Sequence, residues 1–348
     1  MIVIHIGLRK AGSTAIQTFL SANVDALRDM GVDYPAIGRQ QRFDHNNLAN
    51  EIRGRSQFDP KYGTLSQLAD YWKNSNSNTL VLSGETFEES NPTHIAALKE
   101  VLSPKGDIFR ILMINRDLMD LIPSSYSQKV KYGDTADDFD TFFEKRMNHR
   151  RISVNKTAKR WGEIFGWDCI SVRELDPRFL VNGDLIDDVL TMAGLDPSSD
   201  AARALARPGP ANVSPGWRVL EAVRALYSGA AGLDPDHPLA GLSKLSRNDH
   251  KMLGVNAIEL GQRRGWNEDK GLYLTEEQAS QAIETHAQAV RKLNRALPYR
   301  LPMPRPLKDR DFKPRKFLPD HTHISAERLT SFYEKVAAMP LTWRPGVA

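Results

Sequence analysis

Four short apolar runs, Ile2–Ile6, Thr79–Ser83, Phe109–Ile114 and Asp168–Val172, are separated by helical patterns. That alternation is how βαβ units and a parallel sheet are written in sequence. The first run passes through a Gly-containing loop into Ala15, Ile16, Phe19, Leu20, Val24 and Leu27, spaced by threes and fours, which predicts one helix ending near Gly31. Further helices are predicted around Thr157–Phe165 and over Leu185–Leu195, the second closed by Gly194. Residues 34–62 carry Arg39, Arg42, His45, Arg53 and Arg55 among Asn, Gln and Asp with no sustained period, and read as a surface excursion. From about Ser214 the patterns are helical, over 216–228, 244–263, 275–297 and 324–338, with a Pro-rich segment from Pro298 to Pro319 before the last. The expected architecture is an α/β core over 1–213, its parallel sheet flanked by helices, followed by a helical C-terminal region over 214–348.

At 348 residues the chain is long enough for two domains. With 41% hydrophobic and 26% charged residues it falls among average globular proteins, which excludes disordered and collagen-like classes. Its one cysteine, Cys169, excludes an intrachain disulfide and a cysteine-rich zinc site and suits a reducing compartment, so a cytoplasmic location is expected. No apolar stretch approaches the roughly 18 to 20 residues of a membrane span, and MIVIHIG enters a Gly-rich loop without a basic n-region, so a soluble, unprocessed chain is expected. A net charge of +4 is too small for this length to argue for nucleic-acid binding, though it suits a small polyanionic ligand.

The segment Gly7-Leu8-Arg9-Lys10-Ala11-Gly12-Ser13-Thr14 stands where a strand turns into a helix. There, backbone N–H groups and a helix N-terminus can converge on a phosphate-like anion. The segment matches the nucleotide-binding P-loop at both glycines and at Thr14, but Ser13 occupies the usual lysine position. The cation is instead Lys10, inside the turn, and an ordinary strand-to-helix turn is the competing reading.

Lys10-Ala11-Gly12-Ser13-Thr14, with Gln17 three residues on, resembles the 5′-phosphosulfate loop of sulfotransferases that use 3′-phosphoadenosine 5′-phosphosulfate (PAPS). The resemblance implies a P-loop NTPase-like fold in which Arg9, Lys10, Ala11, Gly12, Ser13 and Thr14 hold the 5′-phosphate and the sulfuryl group. Ala11 stands where that family usually has Thr or Ser, which removes one hydroxyl contact. A second segment, Arg116 with Ser124 eight positions later, resembles the family's 3′-phosphate motif, with Leu118 where a Pro is common. Arg suits that task because its planar fork binds phosphate bidentately. An Arg116–Asp120 surface ion pair is the alternative.

Transfer to a hydroxyl or amine needs a base, and Glu85, after the second apolar run, is similar in position to the strand-end glutamate of carbohydrate-type members. His45, in Asp44-His45-Asn46-Asn47-Leu48, competes for this role or for acceptor binding. Asn212 and Ser214 lie in a loop that resembles the one closing over the nucleotide in bacterial members, although helix capping accounts for them equally. Lys129, Lys131 and Arg173 are further candidates for positive potential. The resemblance implies PAPS as donor, a small-molecule or glycan acceptor, no nucleic-acid partner, and chemistry that needs no metal. A P-loop phosphotransferase and a non-catalytic nucleotide-binding module are the alternatives, and the acceptor stays open.

Overall fold

The computed structural model describes residues 1–8, 10–40, 43–103, 105–149, 154–209, 216–229, 246–263, 273–315 and 326–338. In chain order the elements are β1 (Ile2–His5), α1 (Ser13–Ala22), α2 (Val24–Asp29), β2 (Val32–Asp33), α3 (Asn46–Ile52), α4 (Leu65–Asn74), β3 (Thr79–Ser83), α5 (Pro92–Val101) and β4 (Phe109–Asn115). They continue with α6 (Leu118–Lys131), α7 (Phe139–Met147), α8 (Val154–Phe165), β5 (Ile170–Glu174), α9 (Leu185–Met192) and α10 (Asp200–Arg203). The last are α11 (Trp217–Gly229), α12 (Arg247–Arg263), α13 (Glu276–Leu293) and α14 (Ala326–Ala337).

The five strands pair in the order β2-β3-β1-β4-β5, every pair parallel. A parallel sheet must be covered on both faces, and its strands read as continuous apolar runs for that reason. One face of β1 presents Ile2, Ile4 and Ile6 to a core shared with α4, α5, α8 and the later part of α13. The other face presents Val3 to a core with Ile16, Phe19 and Leu20 of α1 and Val189 and Leu190 of α9. The exposed edge of β5 is sealed by Tyr299, whose hydroxyl accepts from the Val172 N–H at 2.6 Å. This covers backbone groups that an open edge would offer to another strand.

The chain forms two compact units that interleave in sequence. The sheet unit comprises Met1–Asp117, Ser153–Gly209 and Glu284–Pro304, and the second unit comprises Leu118–Ile152, Pro210–Ile283 and Arg305–Ala348. A single boundary at 213/214 is therefore not how the contacts divide. The cause is apolar side chains beyond that point, Val290, Leu293, Leu297 and Leu301, that are buried in the core of the sheet unit. In the second unit all regular elements among the described residues are helices. They pack around Tyr126, Phe139, Phe142, Val223 and Phe332, with a buried Arg224–Glu221 pair at 2.8 Å.

One local expectation is corrected and a second is refined. The single helix expected to end near Gly31 is broken at Asn23, whose side chain donates to Phe19 O at 2.8 Å and to Ala206 O at 2.9 Å and accepts from the Ala206 N–H at 2.8 Å. That competition with the helix backbone is typical of Asn. The polar excursion of residues 34–62 is anchored at one point, although Arg55, Ser56 and Gln57 stay exposed: Asn47, fully buried, donates to Asp59 O at 3.0 Å and Gly63 O at 3.1 Å and accepts from the Asp59 N–H at 3.0 Å.

Candidate functional site

Because every pair is parallel, the carboxyl ends of β1, β3 and β4 lie on one edge of the sheet. The connection from β1 leads to one side and that from β4 to the other, so the order reverses between them. Open α/β sheets bind ligands in the crevice at such a switch point.

The loop after β1 is built for close approach. Gly7, Lys10 and Gly12 all have positive φ, +41°, +66° and +85°. For Lys10, which has a side chain, that conformation costs on the order of 1 to 2 kcal/mol. A Cβ on Gly12 would come 2.4 Å from Leu185 Cδ2, and one on Gly7 would come 3.1 Å from Glu85 Cα. The loop thus needs both glycines, and it packs directly on the turn that carries Glu85. No side chain caps α1, so its first N–H groups are left for an anion. Ser13 is buried at the start of that helix, and its Oγ makes no hydrogen bond. Thr14 faces solvent and Ala11 is buried. An orphaned hydroxyl beside uncapped amides fits an oxygen-rich anionic group.

Lys10 is half-buried and its ammonium is held below the usual lysine range, chiefly by burial, with Arg116 acting in the same direction and Glu85 opposing. The fields of two residues from two other strand ends thus meet at Lys10. Arg116 donates from one guanidinium nitrogen to Lys10 O at 2.9 Å, bridging the ends of β4 and β1. Ser124 lies in α6, within the second unit, and its assignment rests on spacing along the chain. Arg9, Asn212 and Ser214 lie outside the described residues. Arg173 faces the fully buried Asp188 at 3.1 Å, which commits its charge to that partner.

Beneath the loop runs a polar network that sequence reasoning missed. His5 Nδ1 and Ser83 Oγ, register partners on β1 and β3, are 2.8 Å apart, and Gln17 Nε2 donates to the same Ser83 hydroxyl at 3.2 Å. A histidine inside an otherwise apolar run was the available signal. His45 lies against the end of β3. Its Nδ1 accepts from the Ser83 N–H at 3.2 Å, its Nε2 donates to Pro35 O at 3.1 Å, and it is fully buried against Tyr34. Both nitrogens are engaged, and the Nδ1 lone pair that a base would use faces a backbone amide. These contacts, with the His45 N–H donating to Ser83 O at 2.7 Å, tie His45 to the end of β3 just before Glu85. Asn46 adds to this by accepting from the Thr86 N–H at 2.8 Å.

Burial lowers His5 to about 4, and burial with the nearby Arg39 charge lowers His45 to about 3, both from 6.5. The unfolded chain therefore binds protons below pH 6.5 that the native sites refuse. Their stabilising contribution is complete above pH 6.5 and is lost as pH falls toward 4. A tenfold change in proton affinity is worth about 1.4 kcal/mol, so a loss of a few kcal/mol is expected between pH 7 and pH 4. Urea denaturation across that range should show it, with a flatter profile in His45→Gln. An unchanged slope in that variant would mean that His45 contributes nothing to the pH dependence.

Comparisons with protein-family models, with curated proteins and with solved structures return no match. Among the described residues no helix is long and apolar enough to cross a membrane, and no group of three or more His, Cys, Asp or Glu side chains could hold a metal ion.

Proposed function

We propose that this chain is a sulfotransferase with a P-loop NTPase-like core that moves a sulfuryl group from PAPS to a hydroxyl or amine of a small-molecule or glycan acceptor. The observation that carries this reading is the convergence of Lys10, Glu85 and Arg116, from three strand ends, at the switch point of a parallel sheet. The glycine-rich turn after β1 and the orphaned Ser13 hydroxyl support it. In this reading the α1 amides and Ser13 hold the 5′-phosphate, and Arg116 takes the 3′-phosphate. The Lys10 ammonium faces the oxygen that gains charge as the sulfur–oxygen bond to the phosphate breaks. Glu85 accepts the proton released as the acceptor's bond to sulfur forms. Positioning and fixed charge supply the rate enhancement.

The test is calorimetric. Adenosine 3′,5′-bisphosphate should bind about ten- to a hundredfold more tightly than AMP, the worth of one charged hydrogen-bonded phosphate contact, and Arg116→Ala should abolish the difference. Equal affinity of the native protein for the two nucleotides would remove the 3′-phosphate assignment.

A further inference from the structure

We propose that Glu174 and His286 form a buried pair whose task is to position Arg116 for a nucleotide carrying a 3′-phosphate; the proposal rests on the donor reading above. Glu174 is the last residue of β5 and the register partner of Asn115, the last residue of β4. Its carboxylate is 9% exposed, a costly place for a charge that lacks compensating partners. Those partners are Asn115, which donates from Nδ2 to Oε1 at 2.8 Å, and His286, whose Nε2 lies 3.3 Å from Oε2 and 3.4 Å from Asn115 Nδ2. His286 comes from α13, far along the chain, and is 4% exposed. Asn115 is held a second time because its carbonyl accepts from the Leu175 N–H at 2.7 Å.

The residue after Asn115 is Arg116, which reaches back to Lys10 O at 2.9 Å. A continuous polar chain therefore runs His286–Glu174–Asn115, through one peptide bond to Arg116, and on to the loop after β1. A buried carboxylate bonded to the residue that precedes Arg116, and accompanied by an imidazole and an amide in place of Lys or Arg, is a poor choice for stability alone. It is a good choice for fixing a backbone position, because the Asn115 amide meets both Glu174 Oε1 at 2.8 Å and His286 Nε2 at 3.4 Å. Bidentate recognition by Arg depends on that position, since a guanidinium fork displaced by about 1 Å keeps its charge but loses its paired geometry.

The experiment measures the dissociation constants of adenosine 3′,5′-bisphosphate and AMP on the full chain by calorimetry, for the native protein, His286→Leu, His286→Gln and Glu174→Gln. The preference for the bisphosphate over AMP should fall about tenfold in His286→Leu and Glu174→Gln while AMP affinity stays within about twofold. His286→Gln, which keeps an N–H donor for Glu174, should restore most of the preference. In an Arg116→Ala background the same changes should have no further effect on the preference, as expected for residues acting through one another. Equal weakening of both nucleotides, or an unchanged preference in Glu174→Gln, overturns the proposal. If His286→Leu fails to melt cooperatively, Glu174→Gln and His286→Gln decide: loss in the first with retention in the second supports the pair, and any other pattern rejects it. A native protein that does not distinguish the two nucleotides would instead defeat the donor reading itself.

Discussion

Glu85→Gln should lower the single-turnover rate of sulfuryl transfer by about a hundred- to ten-thousandfold, the range typical of losing a general base, while nucleotide affinity and fold are retained. The substitution keeps the size of the side chain and removes its basicity, so its packing beside Gly7, where an added Cβ would lie 3.1 Å from Glu85 Cγ, is preserved. His45→Ala is the control. Its imidazole holds the Ser83 N–H and Pro35 O, so its loss should loosen the Glu85 turn and weaken acceptor binding. At saturating acceptor it should cost far less rate than Glu85→Gln. A large rate loss in His45→Ala beside a small one in Glu85→Gln would reverse the two roles.

Lys10→Ala should reduce turnover by about a hundred- to a thousandfold with a smaller effect on nucleotide affinity, because the ammonium interacts most with charge that develops during transfer. The left-handed backbone of Lys10 makes the comparison sharper. Lys10→Gly would relieve that backbone strain while also removing the ammonium, so the two variants separate strain from charge. If both keep near-native turnover, Lys10 takes no part in the chemistry. If only Lys10→Gly does, the loop conformation matters and the charge does not.

Much of the sheet was legible because buried parallel strands leave a plain mark. The apolar runs at 79–83 and 109–114 became Thr79–Ser83 and Phe109–Asn115 almost unchanged. Strand β2 was not legible, since Val32–Asp33 is two residues long and no period can be read from two positions. The turn residues Gly7 and Gly12 could be found because positive φ favours glycine, whereas Lys10 adopts it against its residue type and was read from its place in the loop pattern. The supporting shell could not. Asn47, Glu174 and His286 are polar residues buried by partners distant in sequence, and neither hydropathy nor spacing distinguishes them from solvated neighbours. The interleaved units were hidden for a related reason: an amphipathic helix announces that it has a buried face without saying which core will bury it.

That interleaving bears on how the protein is made. The sheet unit holds Met1–Asp117 yet is complete only when Glu284–Pro304, with the β5-sealing Tyr299, has been added. A ribosome delivers about 5 to 20 residues per second, so the nascent sheet stays unfinished for on the order of tens of seconds while its outer strand has an uncovered edge. A polypeptide terminated at 213 should reproduce that unfinished state permanently, and it is expected to accumulate as insoluble material where the full chain does not.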